Sequence, residues 1–380
     1  MFGTIPYGRL VGLGVSALTF ATLTGTAAAS GYQIREQSAK VLANAAAGSA
    51  AAAEDVSFMA YNPASIGRLS GTQVSGALSY VDPTFELHDA SASTVLGTPI
   101  TGPTDDGGRG TFVPSAMAKW RLSDQVDLGL GIYSPWGLST KYDRSWIGRY
   151  HAVESELKTV DINPVISFKP TRSLTLAAGL VAQYADATLS SAIDFGTAGY
   201  GTVPGASPGK QDGFVKVTGD DWAMGYTLGV LYEFTDRTRA GIGYRSRVSH
   251  TLSGDSNVTY DQSGIGRTLA NAGAGFTNTG ASADITTPAV VTASLYHELD
   301  DRWSVMAGLE WTRWSEFDHL VVQFDNNTPD AKTTENWKNT LMASVGASYR
   351  ATDQWTLRGG AGYDPSPVPD AAHRTTRIPD

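Results

Sequence analysis

From about Thr72 onward, hydrophobic and polar residues alternate along the chain. In 302–311, Trp303, Val305, Ala307, Leu309 and Trp311 share one face, opposite Arg302, Ser304, Met306, Gly308 and Glu310. In 173–184, Leu174, Leu176, Ala178, Leu180, Ala182 and Tyr184 oppose Ser173, Thr175, Ala177, Gly179 and Gln183. In 340–350, Leu341, Ala343, Val345, Ala347 and Tyr349 oppose Thr340, Ser344, Gly346, Ser348 and Arg350, and similar alternation runs through 126–132 and 222–232. Successive side chains on a strand point to opposite faces, so each segment predicts a strand with one apolar and one polar or Gly-rich face. Eleven strands are expected, near 72–88, 110–121, 125–137, 154–170, 173–190, 219–234, 237–252, 283–298, 302–321, 336–350 and 354–364.

Residues 30–70 lack this period. Gly31 to Ala53 is rich in small residues, with Ala45-Ala46-Ala47 and Ala50 to Ala53, and predicts a short, closely packed helix. Asn62-Pro63-Ala64 then ends it, because proline disfavours helix at the residue before it.

Two features point to an all-β transmembrane antiparallel barrel rather than a secreted soluble β-protein. Aromatic residues gather at strand ends (Trp120, Tyr133, Trp222, Tyr232, Trp303 and Tyr349 among them), where amphipathic rings suit the lipid–water interfaces. Connections also alternate in length. Short turns carry Ser123-Asp124, Thr171-Arg172, Thr235-Asp236, Asp300-Asp301 and Thr352-Asp353, while long Gly/Ser/Asn/Asp-rich stretches lie near 90–109, 191–218, 253–282 and 324–336. Bacterial barrels of one chain close with an even strand number, and an open edge in lipid is costly. Eleven strands, followed by a polar stretch to Ile378-Pro379-Asp380, therefore predict about three further strands after Asp380.

Composition narrows the class. Charged residues are 17%, against roughly 25% in soluble globular chains, yet mean hydropathy is −0.16, too polar for a bundle of membrane helices. The absence of cysteine excludes disulfides, thiolate metal sites, a cysteine nucleophile and a lipoprotein anchor. A net charge of −9 without a basic block argues against nucleic acid as a partner. At the N-terminus, Arg9, the apolar run Leu10 to Leu23 and Ala27-Ala28-Ala29 fit a signal peptide cleaved between Ala29 and Ser30, the other reading being a membrane anchor. No catalytic motif, cofactor or metal is expected. Asp105-Asp106-Gly107 and Asp325-Asn326-Asn327 read as solvated loop tips.

Several stretches in order resemble the FadL-type (OmpP1/FadL/TodX) family of long-chain fatty acid and hydrocarbon transporters. They are Ser30-Gly31-Tyr32-Gln33-Ile34-Arg35-Glu36-Gln37-Ser38-Ala39, Asn44-Ala45-Ala46-Ala47-Gly48-Ser49-Ala50, Asn62-Pro63-Ala64, Tyr133-Ser134-Pro135-Trp136-Gly137-Leu138, Trp311-Thr312-Arg313-Trp314-Ser315-Glu316-Phe317 and Asp364-Pro365-Ser366-Pro367-Val368-Pro369. The resemblance implies a 14-stranded barrel in the outer membrane of a Gram-negative bacterium, with residues 30–70 as a plug inside a barrel formed by 71–380. Gln33, Glu36, Asn44 and Asn62, with Pro63 and Ala64, are candidate plug residues that hydrogen-bond the wall. At Ser134, Pro135, Trp136 and Gly137, proline lacks the ladder N–H and glycine relaxes the backbone. The family's inward kink on the third strand makes these residues a candidate lateral gate, the alternative being a plain strand end.

Phe58, Tyr133, Val181, Leu231 and Met306 are candidate pocket residues. Family members that carry fatty acids place basic residues near the carboxylate, where this chain has Tyr184-Ala185-Asp186 and His319-Leu320-Val321. That substitution leans towards an uncharged hydrocarbon. The expected partners are a hydrophobic small molecule, outer-membrane lipid and lipopolysaccharide, and the barrel-assembly machinery, with the protein a monomer. A general diffusion porin and a non-functional truncated barrel are the competing readings.

Overall fold

The computed structural model describes residues 31–87 and 89–378; the expected cleavage point between Ala29 and Ser30 lies outside them. Eleven strands follow one another as antiparallel neighbours. They are β1 (Gln73–Val81), β2 (Thr111–Arg121), β3 (Val126–Tyr133), β4 (Glu154–Phe168), β5 (Leu174–Asp194), β6 (Asp212–Thr235), β7 (Thr238–Arg245), β8 (Val290–Glu298), β9 (Trp303–Thr312), β10 (Thr340–Arg350) and β11 (Thr356–Tyr363). Among the described residues β1 and β11 each have one neighbour, so the wall is curved but not closed. No helix among them is long and apolar enough to cross a membrane.

The burial pattern is that of a membrane barrel. Val74, Leu78, Leu180, Leu228, Leu309 and Val345 face outward and are exposed, whereas Lys119, Asp127, Gln183 and Arg239 face inward and are buried. Rings pair on the wall: Trp303 with Tyr349 at 4.6 Å beside the short turns, and Tyr184 with Trp222 at 5.3 Å midway along β5 and β6. The short turns are held by polar side chains. Ser123 Oγ accepts from Gln125 N and Val126 N, Asp300 Oδ1 from Arg302 N and Trp303 N, and Thr352 Oγ1 from Gln354 N and Trp355 N.

Three segments expected as single strands are each broken: after Tyr133, after Arg245 and after Thr312. Proline interrupts the first. At the second, Ser246 Oγ accepts from Tyr226 N at 2.9 Å in place of a ladder carbonyl. At the third, Trp314–Glu316 forms a 3₁₀ turn. Beyond these breaks the chain stays in the same sheet by other pairings: Gly137–Lys141 continues against β4, Val248–Thr259 pairs with both β6 and Thr279–Thr287, and the latter pairs with His319–Phe324.

The plug contains the expected short helix, Ala39–Ala43, capped by Ser38, and the alanine run beyond it is not helical. Beyond it Ala45, Ala46 and Ala53 have φ of 52°, 63° and 43°, a left-handed conformation that alanine rarely adopts. Contact with the wall overrides helix propensity here. The plug backbone lies so close to inward glycines that a Cβ on Gly241 would sit 1.9 Å from Ala50 O, one on Gly243 1.9 Å from Tyr61 O, and one on Gly360 2.3 Å from Asn44 O. The Gly-rich inward face is thus the seat of the plug.

Cations and amides fasten the plug there. Arg239 donates to Ala51 O and Ala52 O at 2.8 and 2.6 Å while stacking on Tyr296. Lys119, fully buried, donates to Ile66 O and Leu69 O and pairs with Asp127 at 2.7 Å. Asn62 Nδ2 donates to Ala50 O and, across to the wall, Val230 O; its Oδ1 accepts from Ala64 N, so that Pro63 sits inside a closed turn. Asn44 Nδ2 donates to Ser348 Oγ of β10 at 3.3 Å.

Replacing Gly241 with Val should unseat the plug and leave the barrel folded, because an added side chain there meets plug backbone. Overpacking of this kind costs about 1–3 kcal/mol. The variant should keep the heat-modifiable gel mobility of a folded barrel while residues 31–70 become sensitive to protease. Unchanged protease resistance would contradict the seat.

Candidate functional site

The wall is interrupted where the sequence places Ser134-Pro135-Trp136. β3 pairs with β4 as far as Tyr133 opposite Asp161, and pairing resumes with Gly137 opposite Lys158. On its other side β3 pairs with β2 only from Ser115 onward, so Thr111 to Pro114 have no partner there. The chain rejoins higher up, where Gly108 pairs with Thr140 and Lys141 N donates to Gly107 O. A gap is left between 111–114 and 134–139. Thr159 stitches its inner rim, donating to Trp136 O at 2.7 Å and accepting from Trp136 N.

The backbone groups freed at this break are taken up by the plug. Ile34 N donates to Pro135 O and Gly137 N donates to Tyr32 O, both at 2.9 Å, which makes Gln33 and Trp136 a bridge pair. Gln37 Nε2 adds a bond to Ser134 O at 2.7 Å. The same segment is held on its other side by charge. Arg35 Nη2 donates to Glu310 at 2.8 Å and Arg35 Nη1 to Asp364 at 2.7 Å, and Gln33 Nε2 donates to Glu310 at 3.0 Å. Burial works against the Arg35 cation, but the two carboxylates hold its pKa above the ordinary value. Glu36 makes no side-chain bond to the wall: its carboxylate accepts from Arg35 N, and only its carbonyl reaches the barrel, at Ser79 Oγ.

Tyr32, one residue earlier, is buried among rings, with Trp314, Phe317, Trp337 and Trp136 at 4.8, 5.6, 5.7 and 5.9 Å. Gly31 is required beside it, since a Cβ there would lie 2.5 Å from Trp337 and its φ is +55°. Tyr32 lines one of two cavities, and the next residue, Gln33, lines the other. The one on the loop side leaves about 710 Å³ unfilled, its mouth included, and is walled by apolar side chains such as Leu157, Leu189, Leu252, Ile285 and Leu320. The other, of about 530 Å³, is bounded by Gln33, Arg35, Arg245, Glu310, Pro135 and Trp136, and so reaches the break in β3.

The loop-side cavity is apolar with a few polar exceptions. Tyr32, Ser155 and Arg377 are on its wall, and Tyr32 Oη, Ser155 Oγ and Arg377 Nη1 are buried without a hydrogen-bond partner. Unpaired buried polar atoms are rare, and three of them lie on this one apolar cavity. Burial pulls the Arg377 pKa below its ordinary value and pushes that of the Tyr32 hydroxyl up, but arginine remains a cation in a protein.

The residues expected to line a pocket are placed differently. Phe58, Leu231 and Met306 pack in the core between plug and wall, with Val41 and Ala47. Val181 is fully buried on β5 and does not line the loop-side cavity, and Tyr133 borders the gap-side cavity and donates to Asn163 at 3.2 Å. These five face inward as their strand or turn positions imply, but at the level of the plug. The cavity lies above it, lined by loop-side strand ends such as Ala187 and Val217. Asp186 lies on the opposite face of β5 from Ala187, and Arg377 is on the cavity wall. It sits in the polar stretch after β11 that carried no strand signal. The tie from Tyr142 Oη to Thr376 O and the burial of Ile378 hold that stretch over the cavity.

Residues 20–380 match the family described as outer membrane protein transport protein (OMPP1/FadL/TodX). The chain is 30% identical to a putative outer membrane protein of Neisseria meningitidis serogroup B, with 93% of this chain and 80% of that protein covered. It is 27% identical to the long-chain fatty acid transport protein of Escherichia coli K12, over 96% of this chain and 84% of that one. Among solved structures, a Pseudomonas aeruginosa FadL homologue superposes with a TM-score of 0.84 at 25% identity, covering 92% of this chain and 84% of that one. The Ralstonia pickettii toluene transporter TbuX shares the fold, with a TM-score of 0.66 at 22% identity over 86% and 85%. The chain belongs to the OMPP1/FadL/TodX family of outer-membrane transport proteins.

Proposed function

We propose that this protein takes up long-chain amphiphiles of the fatty acid type, holding the chain in the loop-side cavity and releasing it sideways through the break in β3. The observation that carries this reading is an apolar cavity with the unpaired Arg377 Nη1 on its wall, separated from a wall gap by one bonded segment. Each CH₂ moved out of water gains about 0.8 kcal/mol, so a dry cavity retains a long chain that an aqueous pore would not. The names of the Escherichia coli relatives agree with a carboxylate ligand.

In this reading residues 30–70 act as the plug of a barrel formed by 71–380, and only the plug's first residues move. The plug body is fastened by Arg239, Lys119 and Asn62. Gly31 to Gln37 is held by backbone bonds to Pro135 and Gly137 and by the Arg35 pairs, and its withdrawal would carry Tyr32 out of the wall of the loop-side cavity. The ligand then slides past Pro135 and leaves between 111–114 and 134–139 into the outer membrane. Hydrocarbon never crosses water.

Two outcomes follow. Pro135→Val combined with Gly137→Val should let β3 continue into the wall and close the gap; uptake of a radiolabelled long-chain fatty acid by cells should fall at least about tenfold while binding to the purified protein persists. Undiminished uptake would remove the lateral exit. Arg377→Gln should weaken binding of a long-chain carboxylate about tenfold or more, the order expected for a lost charge-assisted hydrogen bond, and leave a same-length alcohol unaffected in competition binding. Equal loss for both would make Arg377 structural.

A further inference from the structure

Between the plug body and the short-turn ends of β7 to β11 lies a third cavity, and it is polar. It leaves about 1110 Å³ unfilled, its mouth included, with Ala52, Ala53 and Glu54 of the plug on one side and Arg239, Arg302, Arg350 and Arg358 of the wall on the other. It shares no lining residue with the two cavities described above. The short turns of a bacterial barrel face the periplasm, so this basin opens there.

Positive charge in the basin is not balanced. Lys40 is paired with Asp55, Arg68 with Glu233 and Arg358 with Glu54. Asp301 is taken by Arg237, and Asp300 accepts from N–H groups of its own turn. Arg302 and Arg350 are left over. Their neighbours Trp303 and Tyr349 pair as rings on the outward face, so alternation turns both arginines inward. Arg350 N donates to Arg302 O at 2.8 Å, which sets the two residues opposite one another. Like charges facing across strands repel, and among the described residues neither guanidinium has an ion pair or a hydrogen bond. On β7, Arg239 Nη1 is buried without a hydrogen bond, 3.5 Å from Glu298.

An anion on the arginine pair would relieve the repulsion, and a guanidinium can hold a carboxylate by two parallel bonds. Arg239 stands two strands from Arg302 and three from Arg350, roughly 10–14 Å at about 4.8 Å per strand. One small anion cannot touch both places. An extended chain can, because acidic side chains about four residues apart share a face and are separated by about 3.3 Å per residue. We propose that the basin docks an extended acidic segment of a periplasmic protein, with one carboxylate held between Arg302 and Arg350 and the next directed at Arg239. Docking there needs neither an amphiphile nor the gap in the wall, so it is tested apart from the uptake reading.

The probe is a Gly/Ser peptide blocked at both ends, with two glutamates about four residues apart; its control carries glutamines instead. Calorimetry uses the full chain in non-ionic detergent, without amphiphile. The glutamate peptide should bind at least about tenfold more tightly than the control at low ionic strength, and salt should shrink the difference. Arg302→Gln with Arg350→Gln should abolish the difference and keep the heat-modifiable gel mobility, since neither side chain is bonded within the fold. In Arg302→Glu with Arg350→Glu, preference should pass to a lysine version of the peptide. Should the double variants fail to fold, Arg350→Gln alone should lower the preference severalfold. Equal binding of the glutamate and glutamine peptides overturns the proposal, as does a preference that survives loss of the arginines. Displacement of the peptide by an equal concentration of inorganic phosphate also overturns it, leaving a small-anion site.

Discussion

Where the β3–β4 ladder lapses at Ser134 to Trp136, the backbone groups it frees are bonded by Tyr32 and Ile34. Within a membrane wall such groups have no water to turn to, so the break persists only because something inside the barrel satisfies it. That dependence ties the gap to the plug. The segment that completes the wall's hydrogen bonds also carries Tyr32, a ring on the wall of the loop-side cavity.

The contacts of the plug fall into two sets, those of its body and those of its first residues. The body meets inward glycines closely enough to force alanines into left-handed conformations, and Arg239 and Lys119 donate to its carbonyls from buried positions. Moving it would strand those cations in a low dielectric, which is costly. The front is attached by three backbone or amide bonds at the kink and by the Arg35 cluster with Glu310 and Asp364. The family relationship places the chain among outer-membrane transport proteins.

Much of this was legible in the sequence because the barrel is periodic. The order of all eleven strands, the outward apolar faces and the short turns follow from alternation and turn chemistry. Asn62-Pro63-Ala64 and Ser134-Pro135-Trp136-Gly137 stood out because proline cannot serve a ladder or a helix interior. The break after Arg245 was hidden because alternation continues across it. The short helix was legible, but the left-handed turn of Ala45, Ala46 and Ala53 was not, because the glycines that reshape the run lie some two hundred residues or more away. Facing inward is set by period, but height relative to the plug is not, so of the five expected pocket residues Tyr133 borders the gap-side cavity and none lines the loop-side one. Arg377 lies in an irregular segment whose place on the cavity wall leaves no local signature.

The most direct test uses the absence of cysteine in the chain. Gln33 and Trp136 face each other as a bridge pair, and partners of that kind lie within disulfide reach. With both replaced by cysteine, uptake of a long-chain fatty acid would be measured in the oxidised and reduced states, the reduced protein serving as its own control. The account predicts that the oxidised protein binds the fatty acid but does not pass it, and that reductant restores uptake. Full uptake through the oxidised protein would contradict the claim that the front of the plug is the gate.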